Sequence, residues 1–453
     1  MASSARRDDD ADDEDGESEE SEEEDGEDGE ARAEEAERVL SAAVAASSDE
    51  LARWPAPLLR WAQREVVLRV AEVRARGRRR TPRLPRRRRR DESGGGAGGG
   101  RGDAERDALA SETLPKLPAP YVALRALSSG TFGDVFVARR EEEAAAAAGS
   151  LVAAKRFRVS GDTTNGCGFP ASAIREVGIL ARVRHPNIVR MLDVVVDRDE
   201  RVFMCMELVA EGDMRAIVSE MDRPFAWGEL KCLAAQLLRA LAFLASRLIV
   251  HRDVKTSNLL YAKGRLKLCD FGAARKFGTA RAMTMEAVTL PYRPIELLLH
   301  ASDGRYGSEV DAWSAGCVLL ELALREPLVS AADEGEALGR IFERLGTPLK
   351  GGADEHGDAE ASHRVWPEFF AGTGVADMAR TSDGLVWPEL AARQPQGAAA
   401  SPRSLASFRD LVRRLVAFSP SRRADLALGD AASHAWFLEP PRALDELEMP
   451  GAF

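Results

Sequence analysis

The sequence predicts an α+β protein of two lobes, preceded by a long polar extension. Short runs of β-forming residues, among them YVALRAL and RVFMCMEL, recur through residues 121–206. Residues 207–438 have a mainly helical pattern, and WGELKCLAAQLLRALAFLASRL is its clearest amphipathic stretch. When strands come first and helices follow, the two kinds of element form separate layers, as in the α+β class.

The extension divides into three segments of different charge. Residues 1–30 carry 17 Asp and Glu against two Arg, and such a segment is predicted to be disordered because it cannot bury enough apolar surface. Residues 31–76 are rich in Ala, Leu and Glu and are predicted to form one or two helices, which leaves a docking helix open. Residues 77–104 join the arginine block GRRRTPRLPRRRRR to a flexible, glycine-rich linker.

Composition argues against several classes of protein. The five cysteines are far apart and odd in number, which predicts buried thiols in a reducing compartment and no zinc site. The acidic N-terminus is not a signal peptide, and no apolar run is long enough to span a membrane. The arginine block lacks interleaved aromatic residues, so it favours a nuclear localisation signal over a nucleic-acid partner. We expect a nuclear protein, with the cytoplasm as a second compartment.

Two stretches of the first lobe have the composition of a phosphate-binding region. LSSGTFGDVFVAR reads as strand, turn and strand, and Gly130 and Gly133 would let backbone amides approach phosphate oxygens because glycine has no Cβ. In VAAK, Lys155 ends an apolar run, where a lysine needs a partner or must turn outward to water. Neither stretch alone distinguishes nucleotide binding from an ordinary hairpin and a solvated lysine.

Two stretches of the second lobe are more specific. HRDVKTSNLL crowds five polar side chains into one loop: His251, Arg252, Asp253, Lys255 and Asn258. LKLCDFGAAR follows, with Asp270 after an apolar strand and Gly272 at a hinge. In this order, the four stretches resemble the motif set of the eukaryotic protein kinases, from about Tyr121 to Leu438.

This resemblance implies a kinase fold with ATP and Mg²⁺ as cofactors and assigns roles to individual residues. Lys155 would hold the α- and β-phosphates, and Glu176 would hold Lys155. Asp253 would orient the substrate hydroxyl or accept its proton, Lys255 would steady the transferred group, and Thr289 would bond both. Asn258 and Asp270 would bind magnesium. The implied nucleotide-binding residues are Leu127, Ser128, Ser129, Gly130, Thr131, Phe132, Gly133, Asp134, Val135, Ala153, Lys155, Met206, Glu207, Val209 and Leu260.

The amphipathic helix FPASAIREVGIL indicates the kind of kinase. PASAIRE resembles the cyclin-binding helix of the cyclin-dependent kinases, so Pro170–Leu180 is the expected cyclin contact. By the same resemblance Thr284 is the activating threonine, phosphorylated by another kinase, and its phosphate would be held by Arg175, Arg252 and Arg275. GFPASAIREV, Met206 and HRDVKTSNLL look most like the PITSLRE subgroup, whose members act in transcription and RNA processing. The AIRE ending of the helix motif is more similar to the cell-cycle members. Thr131 is a second candidate regulatory position.

Several positions depart from the family pattern. Ser128 replaces the first loop glycine, and Phe132 stands at the position of an inhibitory tyrosine. Pro291 stands where tryptophan is usual, and PIE replaces Ala-Pro-Glu around Glu296, which is expected to pair with Arg423. Residues 350–400 are predicted to form a surface insertion and residues 439–453 a C-terminal tail.

Three hypotheses about function follow. The first is an active cyclin-dependent Ser/Thr kinase that acts on protein substrates, with Ser or Thr followed by proline as the preferred site. The second is a pseudokinase scaffold that binds cyclin or other partners without catalysis. The third is an RNA-binding arginine block with a kinase attached.

Overall fold

The computed structural model describes residues 114–130, 133–141, 151–157, 171–197, 201–278, 283–301, 303–348, 364, 384–392 and 402–450. The predictions for residues 1–113, for Thr131, Phe132 and Pro170, and for most of residues 350–400 lie outside these ranges.

The first lobe is a five-stranded antiparallel sheet with one helix. The strands lie in the order β1-β2-β3-β5-β4. They are β1 (Tyr121–Gly130), β2 (Gly133–Arg140), β3 (Leu151–Phe157), β4 (Met191–Val196) and β5 (Val202–Glu207). Lys155 of β3 lies opposite Val135 of β2 and Met204 of β5, so this register places the lysine on the central strand.

Helix α1 (Ala171–Leu180) explains why charges stand beside an apolar stripe. Ile174, Val177 and Leu180 are buried in the core, as the spacing predicts. Arg175 and Glu176 are also buried, with only 1% and 2% of their surface exposed. Neither charge therefore lies on a solvated face of the helix, and both are enclosed by the protein.

The second lobe is mainly helical. Its helices are α2 (Met214–Glu220), α3 (Trp227–Ala245), α4 (Ile295–Leu298), α5 (Glu309–Leu324), α6 (Glu334–Leu345), α7 (Val386–Ala392) and α8 (Pro402–Leu415). Four short strands form two small antiparallel pairs: β6 (Ile249–Val250) with β9 (Arg275–Lys276), and β7 (Leu259–Ala262) with β8 (Arg265–Leu268). These pairs hold the loops that carry His251, Asp253 and Asp270. None of the described helices is long and apolar enough to cross a membrane.

Two segments predicted as peripheral contact the helical core. Within residues 350–400, α7 buries Val386, Trp387 and Leu390. Residues 439–450 also pack on the second lobe, where Leu444 N donates to Gly228 O at 3.0 Å. The described C-terminal residues are thus part of the packed domain.

Candidate active site

The centre of the site is a buried cluster of one lysine and two carboxylates. Lys155 Nζ lies 2.8 Å from Glu176 Oε1 and 2.9 Å from Asp270 Oδ1. Burial by itself lowers the pKa of Lys155, but the two carboxylates outweigh burial and hold this pKa above its usual value. The lysine therefore remains a cation, and it links helix α1 to the loop that follows β8.

The predicted catalytic loop brings a second group of polar side chains together. Lys255 Nζ lies 2.8 Å from Asp253 Oδ2 and donates to Thr289 Oγ1 at 3.0 Å. Thr289 Oγ1 donates in turn to Asp253 Oδ1 at 2.5 Å. Asn258 Nδ2 donates to the backbone oxygen of Asp253 at 2.8 Å and to its Oδ2 at 3.0 Å. Because its nitrogen is used in this way, Asn258 presents its amide oxygen as the atom that can bind a metal.

The loop backbone is held by a residue that sequence reasoning missed. Asp311 of α5 is buried, and its carboxylate accepts from the backbone N–H of His251 at 2.6 Å and of Arg252 at 2.8 Å. Arg252 has a positive φ of 66° and Asp270 one of 60°, which is uncommon for residues other than glycine and concentrates at functional sites. Asp311 belongs to the stretch SEVDAWSAG at the start of α5.

The three arginines singled out by the resemblance lie together. Burial and the charges of the other two guanidinium groups lower the pKa of Arg275 to about 8. Burial and Arg252 lower the pKa of Arg175 to about 10. The lowered pKa values of Arg175 and Arg275 mark a pocket of concentrated positive charge, to which Arg252 contributes and which favours an anion.

The pocket reaches Thr284, whose side chain is exposed. Arg252 Nη1 donates to Thr284 Oγ1 at 3.5 Å and to the hydroxyl of Tyr306 at 2.9 Å. That hydroxyl donates to the backbone oxygen of Thr284 at 2.7 Å. Tyr306 thus joins the arginine to the segment that carries the threonine, a contact that sequence reasoning did not anticipate.

The described nucleotide-binding candidates lie on or next to strands of both lobes. Val135 and Ala153 lie on neighbouring strands of the first lobe, and Ala153 is paired with Met206. Leu260 lies on β7 of the second lobe, while Glu207 and Val209 lie at and just after the end of β5. Leu127 and Ser128 lie on β1 and are exposed.

Two side chains of the phosphate-loop region have partners within the sheet. Asp134 accepts from Ser129 Oγ at 2.8 Å and pairs with Arg156 Nη2 at 2.6 Å. The backbone at Gly133 has a φ of 150°, and a Cβ there would lie 2.1 Å from the backbone oxygen of Arg156. Glycine is therefore required at position 133 by packing on β3, whatever binds above it.

A third charged group lies beside the catalytic loop. Arg293 Nε donates to the backbone oxygen of Val288 at 2.9 Å, and Arg293 Nη1 lies 2.5 Å from Glu334 Oε1. Val288 has an ordinary extended backbone, with φ −88° and ψ 134°, so its carbonyl meets the arginine without strain. Glu334, at the start of α6, is a further residue that sequence reasoning missed.

Below this region a buried ion pair ties two parts of the second lobe. Arg423 Nη1 and Nη2 lie 2.6 and 2.7 Å from the two carboxylate oxygens of Glu296. This is the pair expected from the sequence, although PIE replaces the usual Ala-Pro-Glu.

Residues 121–437 match the family model described as "Protein kinase domain". The chain belongs to the protein kinase family. Cyclin-dependent kinase G-1 of Oryza sativa subsp. indica is 36% identical over 335 residues, which cover 73% of this chain and 44% of the rice protein. Cyclin-dependent kinase 11B of Homo sapiens is 32% identical over 73% of this chain and 38% of the human protein. The chain thus spans less than half of these two relatives.

A shorter relative places the kinase more narrowly. Probable cyclin-dependent kinase 10 of Dictyostelium discoideum is 33% identical over 71% of this chain and 80% of the relative. The chain is therefore a member of the cyclin-dependent kinase branch. A solved chain of the CAK complex from Chaetomium thermophilum, bound to ATP-gamma-S, has a TM-score of 0.56 at 26% identity and covers 73% of this chain and 95% of that chain. The predicted family and the predicted two-lobed α+β fold are confirmed.

Proposed function

We propose that the protein is a cyclin-dependent Ser/Thr kinase, which transfers the γ-phosphate of ATP to Ser or Thr of protein substrates. The observation that carries the proposal is the joint presence of two groups of bonded polar side chains. One group is the Lys155–Glu176–Asp270 cluster, and the other is the Asp253–Lys255–Thr289–Asn258 network. Phosphoryl transfer depends mainly on positioning and on stabilising charge, and these side chains are suited to both tasks.

The residues of the cleft divide the work between nucleotide and acceptor. Lys155, held by Glu176, contacts the α- and β-phosphates, and Val135, Ala153 and Leu260 enclose the adenine. Asp253 orients the acceptor hydroxyl, and Lys255 steadies the phosphoryl group. The remaining nucleotide-binding positions keep the roles that the family resemblance implies.

The oxygen donors of the site fit magnesium. Asn258 and Asp270 provide an amide oxygen and a carboxylate, which are hard ligands of the kind that Mg²⁺ takes together with phosphate oxygens. The bound ion supplies charge neutralisation between the phosphates. Asp270 also accepts from Lys155, so burial, which raises its pKa, is outweighed and the pKa stays below its usual value. The carboxylate is therefore ionised and ready to bind a cation.

Activation depends on a cyclin and on a phosphate at Thr284. The Pro170–Leu180 segment is the cyclin contact, and cyclin pressing on it maintains the Lys155–Glu176 pair. Phosphate on Thr284, added by an activating kinase, is held by Arg175, Arg252 and Arg275. The exposed hydroxyl of Thr284 and the cationic pocket beside it support this proposal.

The preferred substrate has proline after the phosphoacceptor, and Arg293 explains the selection. Its bond holds the Val288 carbonyl toward the guanidinium, so in this proposal that oxygen is not offered to the N–H of the next substrate residue. A residue other than proline would then bury an N–H without an acceptor, at a cost of about 1–3 kcal/mol. Proline has no N–H, so it is selected by exclusion. Protein substrates and a cyclin are the proposed partners, and the nucleus is the proposed compartment.

Purified chain with a cyclin partner provides the test. Magnesium-dependent transfer of labelled phosphate to a Ser-Pro peptide should fall by orders of magnitude in Asp253→Asn and in Lys155→Met, while ATP binding is measured separately. A scaffold without catalysis would give no transfer with any cyclin, although the wild-type chain would still bind the cyclin. That outcome would replace the kinase proposal with the pseudokinase hypothesis.

A further inference from the structure

A patch of positive charge lies on the helical lobe, outside the proposed active site. Arg239 and Phe243 are four residues apart on α3, and Arg247 follows four residues later, just past the end of that helix. This spacing places the three side chains along one stripe. The guanidinium of Arg247 lies 3.8 Å from the centre of the Phe243 ring, a close cation–π contact.

The loop after α1 extends the same patch. The His185 ring centre lies 4.9 Å from that of Phe243, which sets the loop against the stripe on α3. Asn187 Nδ2 donates to Gln236 Oε1 at 2.6 Å and fixes this contact. Arg184 precedes His185, and Arg190 begins the approach to β4. The basic patch is defined here as Arg184, Arg190, Arg239 and Arg247.

The patch is not neutralised by acidic side chains. All four arginines are exposed, and within the described part of the chain none of the four forms an ion pair with a carboxylate. The nearby carboxylate of Glu207 pairs with Lys267, at 2.7 Å. Burial, and then the cations Arg239, Lys267 and Arg247, lower the pKa of His185. The surface therefore has an excess of positive charge.

The chain itself contains a polyanion of matching charge. Residues 1–30, the acidic head, have 17 Asp and Glu and two Arg, so their charge exceeds what the nine arginines of the block at residues 77–90 can neutralise. The domain begins near the patch, because the Tyr121 hydroxyl of β1 donates to Asp193 Oδ2 at 3.0 Å, three residues after Arg190.

The length of the connection permits contact between head and patch. About 80 residues separate the acidic head from Leu114. The 37 residues from 77 to 113, taken as a flexible chain, have a root-mean-square span of roughly 33 Å, and the helices predicted within residues 31–76 would add about 1.5 Å of reach for each residue. A domain of about 320 residues has a radius of gyration of roughly 20 Å. We propose that the basic patch binds the acidic head of the same chain.

Binding in trans tests this proposal directly. A fluorescein-labelled peptide of residues 1–30 is titrated with chain that lacks those residues, and anisotropy is followed at low and at physiological salt. The patch variant carries Arg184→Gln, Arg190→Gln, Arg239→Gln and Arg247→Gln. The affinity of this variant for the peptide should be lower by about tenfold. The matched control removes four exposed arginines elsewhere, Arg125, Arg215, Arg305 and Arg422, and should bind like the wild type.

The intact chain gives a second readout. Nuclear magnetic resonance titration should show a higher pKa for His185 in the intact chain than in chain lacking residues 1–30, because the bound head offsets the neighbouring cations. Equal pKa values, or equal loss of peptide affinity in the patch and control variants, would overturn the proposal. So would binding that disappears only when the arginines at 86–90 are replaced by Gln, since the head would then occupy the arginine block. A patch that binds RNA or phosphopeptide but not the head would be equally decisive against it.

Discussion

At the scale of single residues, the proposed site depends on charged side chains that the fold buries. Lys155, Glu176 and Arg175 are each less than a tenth exposed, and removing one partner of a buried pair costs about 3–5 kcal/mol. Their side chains were identified from sequence because motif and spacing are local properties. Asp311 and Glu334 were not, because each acts on a backbone or side chain far away in sequence, and only the tertiary fold brings the two parts together.

The Lys155–Glu176 pair predicts a pH-dependent defect in Lys155→Met. Burial raises the pKa of Glu176, and Lys155 opposes this effect. Without the lysine, the folded variant holds a proton on Glu176 more tightly than the unfolded chain does. Its stability is therefore greatest below the usual glutamate pKa of roughly 4.3 and falls as pH rises through the raised value.

Thermal unfolding from pH 5 to pH 8 measures this defect. The melting temperature of Lys155→Met should fall with pH more steeply than that of the wild type. The double variant Lys155→Met/Glu176→Gln has no carboxyl at this position and should lose the extra slope. If both variants had the same pH dependence, Glu176 would not be the titrating group.

Glu334 gives a prediction for substrate selection. It pairs with Arg293, whose other nitrogen holds the Val288 carbonyl. Glu334→Gln should let Arg293 reorient, and the preference for Ser-Pro over Ser-Ala peptides should fall by up to about fivefold, as expected for a partly exposed pair.

Peptide pairs assayed for kcat/KM provide the measurement. Glu343→Gln is the control, because Glu343 lies on the same helix and pairs with the exposed Arg340. A general loss of activity on both peptides, with unchanged selectivity, would show that Glu334 supports the lobe and not the selection of proline.

At the scale of elements, residues 284–288, here called the activation segment, are held by side chains of other segments at two points. Tyr306 holds the backbone of Thr284, and Arg293 holds that of Val288. Between them the segment forms a single short 3₁₀ helix, Met285–Ala287. The sequence predicted several strands of the first lobe from their β-forming residues, and helices α1 and α3 from their periodicity. Periodicity did not predict the contacts of Tyr306 and Arg293 with this segment, because irregular segments take their conformation from partners distant in sequence and not from a periodic pattern.

Phosphorylation at Thr284 should add contacts between this segment and the three arginines. A phosphate brings two or nearly two negative charges into a pocket where burial and neighbouring guanidinium groups lower the pKa of Arg175 and of Arg275. Each charge-assisted contact contributes about 1.5–3 kcal/mol, so Thr284→Ala should lower cyclin-stimulated activity by about one to two orders of magnitude. Steady-state assays of phosphorylated wild type and of Thr284→Ala, both bound to cyclin, measure the effect. Equal activity would exclude the three-arginine mechanism.

At the scale of the whole molecule, the last described residues pack back onto the second lobe. The sequence placed the domain at about residues 121–438, and the family model matches residues 121–437. It treated residues 439–453 as a tail, because RALDELEMPGAF has no long apolar run. Besides the buried Met449, the segment is held by backbone oxygens and single charges, such as Glu446 with Arg265 at 2.7 Å, and composition does not reveal such contacts.

Deleting residues 439–453 should therefore destabilise the domain. Lys231 of α3 is completely buried, and its ammonium donates to the backbone oxygens of Glu439 at 2.6 Å and Pro441 at 3.0 Å. Truncation removes both acceptors and leaves a charged donor without partners, at a cost of at least about 1–3 kcal/mol. Urea unfolding should show a lower midpoint. Adding Lys231→Met to the truncated chain should recover part of the loss, because methionine fills similar space without a charge. A truncated chain as stable as the full one would show that the segment lies on the lobe without supporting it.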